Sequence, residues 1–372
     1  MKKVKKMEKI KIAILGRGQL ADMLKASVKE ESPFEVRSFP LPEFLPVCEK
    51  QQIEHWRERL ADFDVVSYEI ENINPGLLSA LGVQIKPAVE ALAHAQDRLK
   101  EKRLFQALHI NTNDFMAVDS IDMLKQAAEK LGLPFIVKTR QFGYDGKGQY
   151  IVKTVKDMDE AWRQLGSYAL LAEAFVDFDY EVSQVATRDR FGHIAFYPLV
   201  TNVHREGILR ETHVLDFNHR LVDQAQAAVT ELMRHFNYIG SFAVEFFVKA
   251  GVLYANEMAP RVHNSGHWSI DGATVSQFRN HMLAIAGEAV EPVALKAPYV
   301  MMINLIGEDV PPDFKAEEGV FAHSYGKRPR AGRKLGHINV MADSLECFKS
   351  RIESVYNQLK ADSIIKLKDR HE

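Results

Sequence analysis

Apolar and polar positions alternate along this chain on two length scales. Short apolar runs of strand length are separated by longer amphipathic stretches of helix length. KIAIL at 11–15 reads as a buried parallel strand, and Gly16-Arg17-Gly18-Gln19-Leu20 turns into a helix. FEVRSF at 34–39 is a second strand, and DFDVVSYEIEN is a third that ends in the acidic pair Glu69 and Glu71. Strands that alternate with helices predict an α/β sheet with right-handed crossovers. VQIKP at 83–87 closes this unit.

The charged stretch DRLKEKRLFQAL predicts a helix from Asp97 to Leu108 that opens a second region. There AAEKLGLPFIVKTR puts Lys138 at the end of a strand, and Gln141 to Gln149 form a glycine-rich loop before the strand YIVK. Two strands are expected within 169–185, a helix around 219–236, and a helix over about 273–286 that ends at Gly287. After the linker EPVALKAP, a third region of about 75 residues mixes strands with one terminal helix. The division is thus 1–97, 98–290 with a flap near 130–180, and 291–372.

At 372 residues the chain is too long for one ordinary core, which agrees with two or three domains. Its 46% apolar and 26% charged residues describe a globular protein, and a net charge of −2 gives no sign of a nucleic-acid or membrane surface. Cys48 and Cys347 lack metal spacing, so disulfides and zinc are not expected and a cytoplasmic setting is. The basic start MKKVKKMEK reads as a solvated tail, with Met7 as an alternative start.

The densest chemistry is Asn256-Glu257-Met258-Ala259-Pro260-Arg261-Val262-His263-Asn264-Ser265-Gly266-His267-Trp268. The preceding apolar runs SFAVEFFV and GVLYA would deliver Glu245, Asn256 and Glu257 together at strand ends. These are hard oxygen ligands of the kind that hold Mg²⁺ beside substrate phosphates. So many polar side chains are costly to bury without partners; the plain alternative is a capped loop.

Gly16 to Ala21 fits the G-x-G-x-x-G/A fingerprint, but Arg37, Ser38 and Phe39 stand where a dinucleotide site needs an acid. The loop predicts a phosphate or ribose site, against a tight turn with no ligand. Gly143 to Gln149 is not a Walker A loop, yet its glycines and Lys147 suit a flap over phosphates, with Lys138 as a second cation. A solvated hairpin tip is the competing reading, opposed by the apolar strand that Lys138 ends. Glu173-Ala174-Phe175-Val176 is compatible with an adenine and ribose contact and equally with a hairpin; Glu181 and His204 are weak alone. No Ser-His-Asp or Cys-His set suggests covalent catalysis.

Taken together, the chain resembles the ATP-grasp superfamily and, within it, the N5-carboxyaminoimidazole ribonucleotide synthetases. The resemblance rests on GRGQL at 16–20, YEIEN at 68–72, QDRLKEK at 96–102, VKTRQFGYDGKGQ at 137–149, YPLVTNVHREGILR at 197–210, NEMAPRVHNSGHW at 256–268 and KRPRAGRKLGHIN at 327–339. It implies a Rossmann-like first domain, an α+β ATP-grasp domain and a small mixed third domain. It also implies conversion of ATP, bicarbonate and 5-aminoimidazole ribonucleotide into N5-carboxyaminoimidazole ribonucleotide, ADP and phosphate, and a cytoplasmic homodimer.

Carried over by residue, Arg98, Lys138 and the loop Gly143, Tyr144, Asp145, Gly146, Lys147, Gly148 and Gln149 would hold ATP phosphates. Glu173, Ala174, Phe175, Val176, Glu181 and His204 would line the adenine and ribose site, and Asn256 would stand beside the Mg²⁺ ligands Glu245 and Glu257. The ribonucleotide would meet Gln19, Leu20, Glu71, Tyr144, Asp145, Arg261, His263, Lys327, Arg333 and Lys334, with Asp145, Lys138 and Arg261 nearest the chemistry. Where the family commonly has GQLGRM, this chain has Asp22 in place of the Arg. Another ATP-grasp ligase, such as a formate-dependent glycinamide ribonucleotide transformylase, and a silent nucleotide sensor are the other readings.

Overall fold

A computed structural model describes residues 9–28, 32–40, 50–143, 148–215 and 219–359. The N-terminal tail, Cys48 and the loop residues Tyr144, Asp145, Gly146 and Lys147 lie outside the described residues. The first unit contains β1 Ile10–Leu15, α1 Gln19–Ala26, β2 Phe34–Phe39, α2 Lys50–Leu60, β3 Val65–Tyr68, α3 Pro75–Ala80 and α4 Val89–Ala95. Its sheet is parallel in the order β2-β1-β3. Ile12, Ala13 and Ile14 are fully buried, as expected of a strand covered on both faces. The third strand stops at Tyr68, earlier than its sequence suggests, because Glu69 turns in toward the loop before α1. VQIKP contributes only the bridge Val66↔Ile85.

Helix α5, Arg98–Ala107, starts at Asp97, whose carboxylate accepts from the amides of Leu99 and Lys100. It leads into a four-stranded antiparallel sheet, β4-β7-β5-β6, made of β4 Phe115–Val118, β5 Phe135–Thr139, β6 Gln149–Val152 and β7 Leu170–Ala174. Helices α6 Ile121–Leu131 and α7 Asp157–Leu165 close one face of it around Leu124, Phe135, Val137 and Met158. The stretch near 130–180 expected as a flap falls largely on this sheet, which begins earlier, at Phe115, and Lys138 stands near the end of β5.

The remaining strands form one nine-stranded sheet. They are β8 Tyr180–Arg188, β9 Ile194–Phe196, β10 Val200–Arg205, β11 Ile208–Val214, β12 Gly240–Lys249, β13 Val252–Ala259, β14 Tyr299–Ile306, β15 Val320–Ser324 and β16 Lys334–Ala342. Their order is β13-β12-β8-β10-β11-β14-β16-β15, with β9 paired to β8. The strands of the expected third domain therefore extend the sheet of the second, through the ladder Glu211↔Ile303 to Val214↔Val300. Helix α8, His219–His235, covers one face around Val229, Leu232 and Phe242, and α11, Leu345–Gln358, covers the far end around Val340 and Val355.

Past β13 the chain makes a single 3-10 turn at Asn264–Gly266, then α9 Ser269–Gly272 and α10 Gln277–Ala286. The last helix starts later than the sequence pattern suggests, because Ser276 caps it by accepting from the Arg279 amide. Gly287 ends it with φ of 87°, the left-handed conformation that favours glycine at a C-terminus. Phe278, Met282 and Leu283 of α10 pack against Ile12, Ile14 and Leu24, so this helix joins the N-terminal unit to the large sheet. No helix among the described residues is long and apolar enough to cross a membrane.

Phe278 is 1% exposed at this junction. We expect Phe278→Ala to lower the unfolding free energy by about 3–5 kcal/mol through lost burial and a residual cavity. Urea titration measures this, and a loss below about 1 kcal/mol would show that the helix does not brace the two units.

Candidate active site

The site is built on β5, β7, β12 and β13 and on the loops that follow β1 and precede β16. Glu245 of β12 and Glu257 of β13 are paired directly across the antiparallel ladder, so both carboxylates project from one face. The register shifts between Glu245 and Phe246, which leaves Asn256 as the extra residue of a bulge. Asn256 and Glu257 thus lie inside β13, which continues to Ala259, rather than at the strand end that the sequence suggests. Like charges placed opposite each other on a sheet are unfavourable. Burial, with Glu257 adding to it, pushes the Glu245 carboxyl up to about 7. Glu257 is exposed. Two opposed carboxylates with a neighbouring amide, open on one side, are the donors that Mg²⁺ takes when phosphates complete its shell, so the residues fit the ion. No cluster of three acidic, His or Cys residues that could hold a metal by itself occurs among the described residues.

Lys138 extends from β5 to Glu173 of β7, with Nζ 2.9 Å from Oε2. Glu173 is 1% exposed. Its carboxylate also accepts from Asn113 Nδ2 at 3.4 Å, while Oε1 has no hydrogen-bond partner. Lys102 stands behind it, itself 1% exposed and bonded to Thr112, Asn113 and the Ala255 carbonyl. Burial alone would raise the Glu173 pKa, but the charges of Lys102 and Lys138 outweigh it and hold it at about 2. Next to it Phe175 is 41% exposed, with Val176 half-buried. Ala174 spends its amide on the Asp114 carbonyl and its own carbonyl on Asn113.

Arg98 donates to the carbonyls of Thr139 at 3.3 Å and Gly143 at 3.2 Å. It therefore grips the entry to the glycine-rich loop, whose exit is pinned by the Thr139 amide bonding the Gly148 carbonyl and by Lys138 pairing with Gln149. His204 of β10 bonds Glu181 of β8 at 2.7 Å. Burial alone would lower its pKa, but the Glu181 bond and the nearby Glu245 charge hold it above the ordinary value.

The N-terminal loop corrects one expectation. The amides of Gly18 and Ala21 donate to Glu69, at 2.6 and 3.3 Å. A Cβ on Gly16 would lie 2.3 Å from Glu69 Cγ, and one on Gly18 would lie 2.8 Å from Oε1. The loop is glycine-rich because a carboxylate of the chain itself fills the cradle proposed for a phosphate. Leu20 packs toward the apolar core beneath, and Asp22, at the family's Arg position, pairs with Lys25 on the exposed side of α1.

Around Glu69 the expected ribonucleotide residues converge. Lys327 Nζ reaches Gln19 Oε1 at 2.5 Å, and Arg261 pairs with Glu71 at 2.9 Å. Burial, followed by Arg333, lowers the Lys327 pKa. Arg333 is half-buried and donates to the Arg328 carbonyl at 3.2 Å, and Lys334 opens β16. His263, which the resemblance assigns to the ribonucleotide, stands 3.5 Å from Glu245 Oε1.

Sequence reasoning missed Glu69, Lys102 and Asn113 as parts of the site. Glu69 was visible as a charge between apolar residues at a strand end; Lys102 is hidden among the charges of its helix, and nothing marks Asn113. Beneath the basic segment, Tyr325 bonds His337 at 2.8 Å and His267 at 3.3 Å, and its ring lies 5.4 Å from Lys327.

A sequence-family model for the ATP-grasp domain matches residues 103–278, and one for the phosphoribosylaminoimidazole carboxylase C-terminal domain matches residues 300–351. The N5-carboxyaminoimidazole ribonucleotide synthase of Pseudomonas aeruginosa is 38% identical over 363 residues, covering 95% of this chain and all of that protein. The crystal structure of N5-carboxyaminoimidazole ribonucleotide synthetase from Thermus thermophilus superposes with a TM-score of 0.82 at 36% identity, over 94% of this chain and 98% of its own. The Staphylococcus aureus N5-carboxyaminoimidazole synthetase, solved with ADP, gives 0.84 at 32% identity, over 93% and 96%.

The Glu173 pair sets an acid limit. Because its folded pKa is depressed, it contributes stability above the ordinary value of 4.5, and that stability disappears as the pH falls toward 2. The size is about 3 kcal/mol by the linkage relation. Glu173→Gln should flatten the loss of unfolding free energy over that window, as read by urea titration at a series of pH values. An acid limb identical to that of the parent protein would count against the pair.

Proposed function

This chain belongs to the N5-carboxyaminoimidazole ribonucleotide synthase family, and on that premise we propose that it carboxylates 5-aminoimidazole ribonucleotide with ATP and bicarbonate, in purine biosynthesis. The observation that carries the reading is the approach of two sets of groups to each other, with Lys334 and Arg261 near His263 and His263 beside Glu245. Opposed Glu245 and Glu257 and the paired Lys138 suit a nucleotide, while Lys327, Arg333, Lys334 and Arg261 suit a second phosphorylated reactant.

Glu245 and Glu257, with Asn256 beside them, would hold Mg²⁺, which supplies charge neutralisation on the ATP phosphates. Lys138 has three ammonium protons and spends one on Glu173, which leaves donors for phosphate oxygens. Phe175 and Val176 offer an apolar edge for adenine, and Glu181, bonded to His204, is assigned to the ribose hydroxyls from the family resemblance. A bicarbonate oxygen attacks the γ-phosphorus and ADP leaves, giving carboxyphosphate. The amine of the ribonucleotide then attacks the carboxyl carbon, or the CO₂ released from it, and phosphate departs. Carboxyphosphate is labile in water, so closure of the 143–149 loop, which Arg98 grips at Gly143, would protect it. Asp145 and Tyr144 in that loop, with Arg261, are assigned to orient the amine and the carboxyl group. Because Glu69 already fills the N-terminal cradle, the ribonucleotide phosphate is assigned to the cations before β16, with Gln19 at its edge. A homodimer in the cytoplasm is proposed from the family resemblance alone.

Purified protein should release phosphate strongly only when ATP, Mg²⁺, bicarbonate and the aminoimidazole ribonucleotide are all present. Equal release with formate and glycinamide ribonucleotide would move the assignment to the transformylase reading. Glu257→Gln, exposed and free of core packing, should fold normally and lose roughly 10²-fold or more in turnover; near-normal turnover at low Mg²⁺ would remove it from the metal site.

Arg333→Ala should raise the KM for the ribonucleotide by roughly tenfold or more, the scale of a lost charge-assisted contact. The KM for ATP should stay nearly constant. A defect confined to ATP would return the segment to a solvated loop.

A further inference from the structure

A line of polar side chains runs from the middle of the large sheet to His263 and ends there. Thr212 Oγ1 donates to Asn202 Oδ1 at 3.0 Å, and Asn202 Nδ2 donates to Ser183 Oγ at 2.8 Å. Ser183 donates to Ser265 Oγ at 2.7 Å, and Ser265 Oγ lies 2.8 Å from His263 Nδ1. Thr212, Ser183 and Ser265 are fully buried, and Asn202 is 4% exposed. Each hydroxyl has one proton to give. The direction is fixed at the His263 end by the Ser265 backbone amide, which also points at Nδ1, at 3.3 Å, and can only donate. Nδ1 therefore accepts, and the Ser265 proton is directed to it. The ring proton must then sit on Nε2, which faces Glu245 Oε1 at 3.5 Å. A ring nitrogen that accepts from the Ser265 amide and hydroxyl carries no proton of its own, so the ring holds a single proton.

We propose that Ser265 and Ser183, backed by Asn202 and Thr212, are positioning residues that lock His263 as the Nε2–H tautomer, so that the imidazole serves the site as a neutral hydrogen-bond donor. The lock itself follows from the buried chain. Only the claim that this N–H meets Glu245 or an anionic reactant at that spot rests on the reading given above. A neutral donor there suits a carboxyl or phosphoryl oxygen without adding a cation that would have to be desolvated. Ser265 is fully buried and bonds His263 directly, whereas Ser183 also stands opposite Glu245 and Asn202 opposite Glu181 in the ladder, so Ser265 is the position whose effect on turnover passes through His263.

The test is histidine ¹⁵N NMR on the full chain, with His263→Gln used to identify the resonance, beside steady-state kinetics. In the parent protein at neutral pH, Nε2 should carry the proton and Nδ1 should not. Ser265→Ala should raise the Nδ1–H fraction and lower kcat, each by roughly tenfold, the equivalent of one hydrogen bond, with the KM for ATP unchanged. Ser265→Cys, closer in volume and a weak donor, should move both readouts in the same direction and serves if the alanine variant does not fold. An Nδ1–H or doubly protonated ring in the parent protein would overturn the proposal, as would an unchanged tautomer in both variants. A shifted tautomer with unchanged kcat would overturn the role of the N–H in turnover. The expected tautomer in a protein that shows no ribonucleotide-dependent phosphate release would uphold the lock and overturn the functional reading instead.

Discussion

A carboxylate taken out of water keeps its charge only where donors or cations replace the lost solvent, and this constraint organises the whole cleft. Four glutamates meet it in four ways. Glu69 takes backbone amides from the loop after β1, and Glu173 takes two lysines and an amide side chain. Glu101 accepts from the Met258 amide and is otherwise left to burial, which raises its pKa well above the ordinary range. Glu245 has His204 and His263 nearby but faces a second carboxylate, a need that a divalent ion would fill. Glu173 is thus held charged by the fold, whereas burial still raises the pKa of Glu69, Glu101 and Glu245.

Much of this was legible in the sequence, for reasons that can be stated residue by residue. β1 could be read because it is a nearly continuous apolar run that stops at Gly16, and β2 because apolar and polar residues alternate between Pro33 and Pro40. Lys138 stood out because a lysine in an apolar strand needs a partner, and the partner is Glu173. The Glu257 segment stood out because its polar density has no structural excuse. The resemblance to a known family supplied the roles, which spacing alone does not give.

What was not legible depends on long-range pairing. No local pattern shows that β14 aligns with β11, because strand partners are chosen by the whole sheet rather than by either strand. The bulge at Asn256 is likewise invisible, since an extra residue in one strand is defined only against its neighbour. The occupant of the glycine loop was misread for the same reason: a loop that accepts a phosphate and a loop that accepts a distant carboxylate have the same sequence. The helix before Gly287 was placed too early because Ala273 and Val275 continue an apolar pattern that serves an isolated bridge and a buried turn.

The ladder between β11 and β14 bears on how the chain can be cut. A fragment ending before residue 299 would leave β11 as a bare edge, with its amides and carbonyls open to any other strand. It would also uncover Leu209, Val214 and Trp268, which now pack against Val300 and Met302. The C-terminal segment is thus the capping half of a shared sheet rather than a module that can be exchanged. Expression of the ATP-grasp portion alone invites strand-to-strand aggregation, and a donor C-terminal segment grafted from a relative would have to match the β11 register before it could contribute any chemistry.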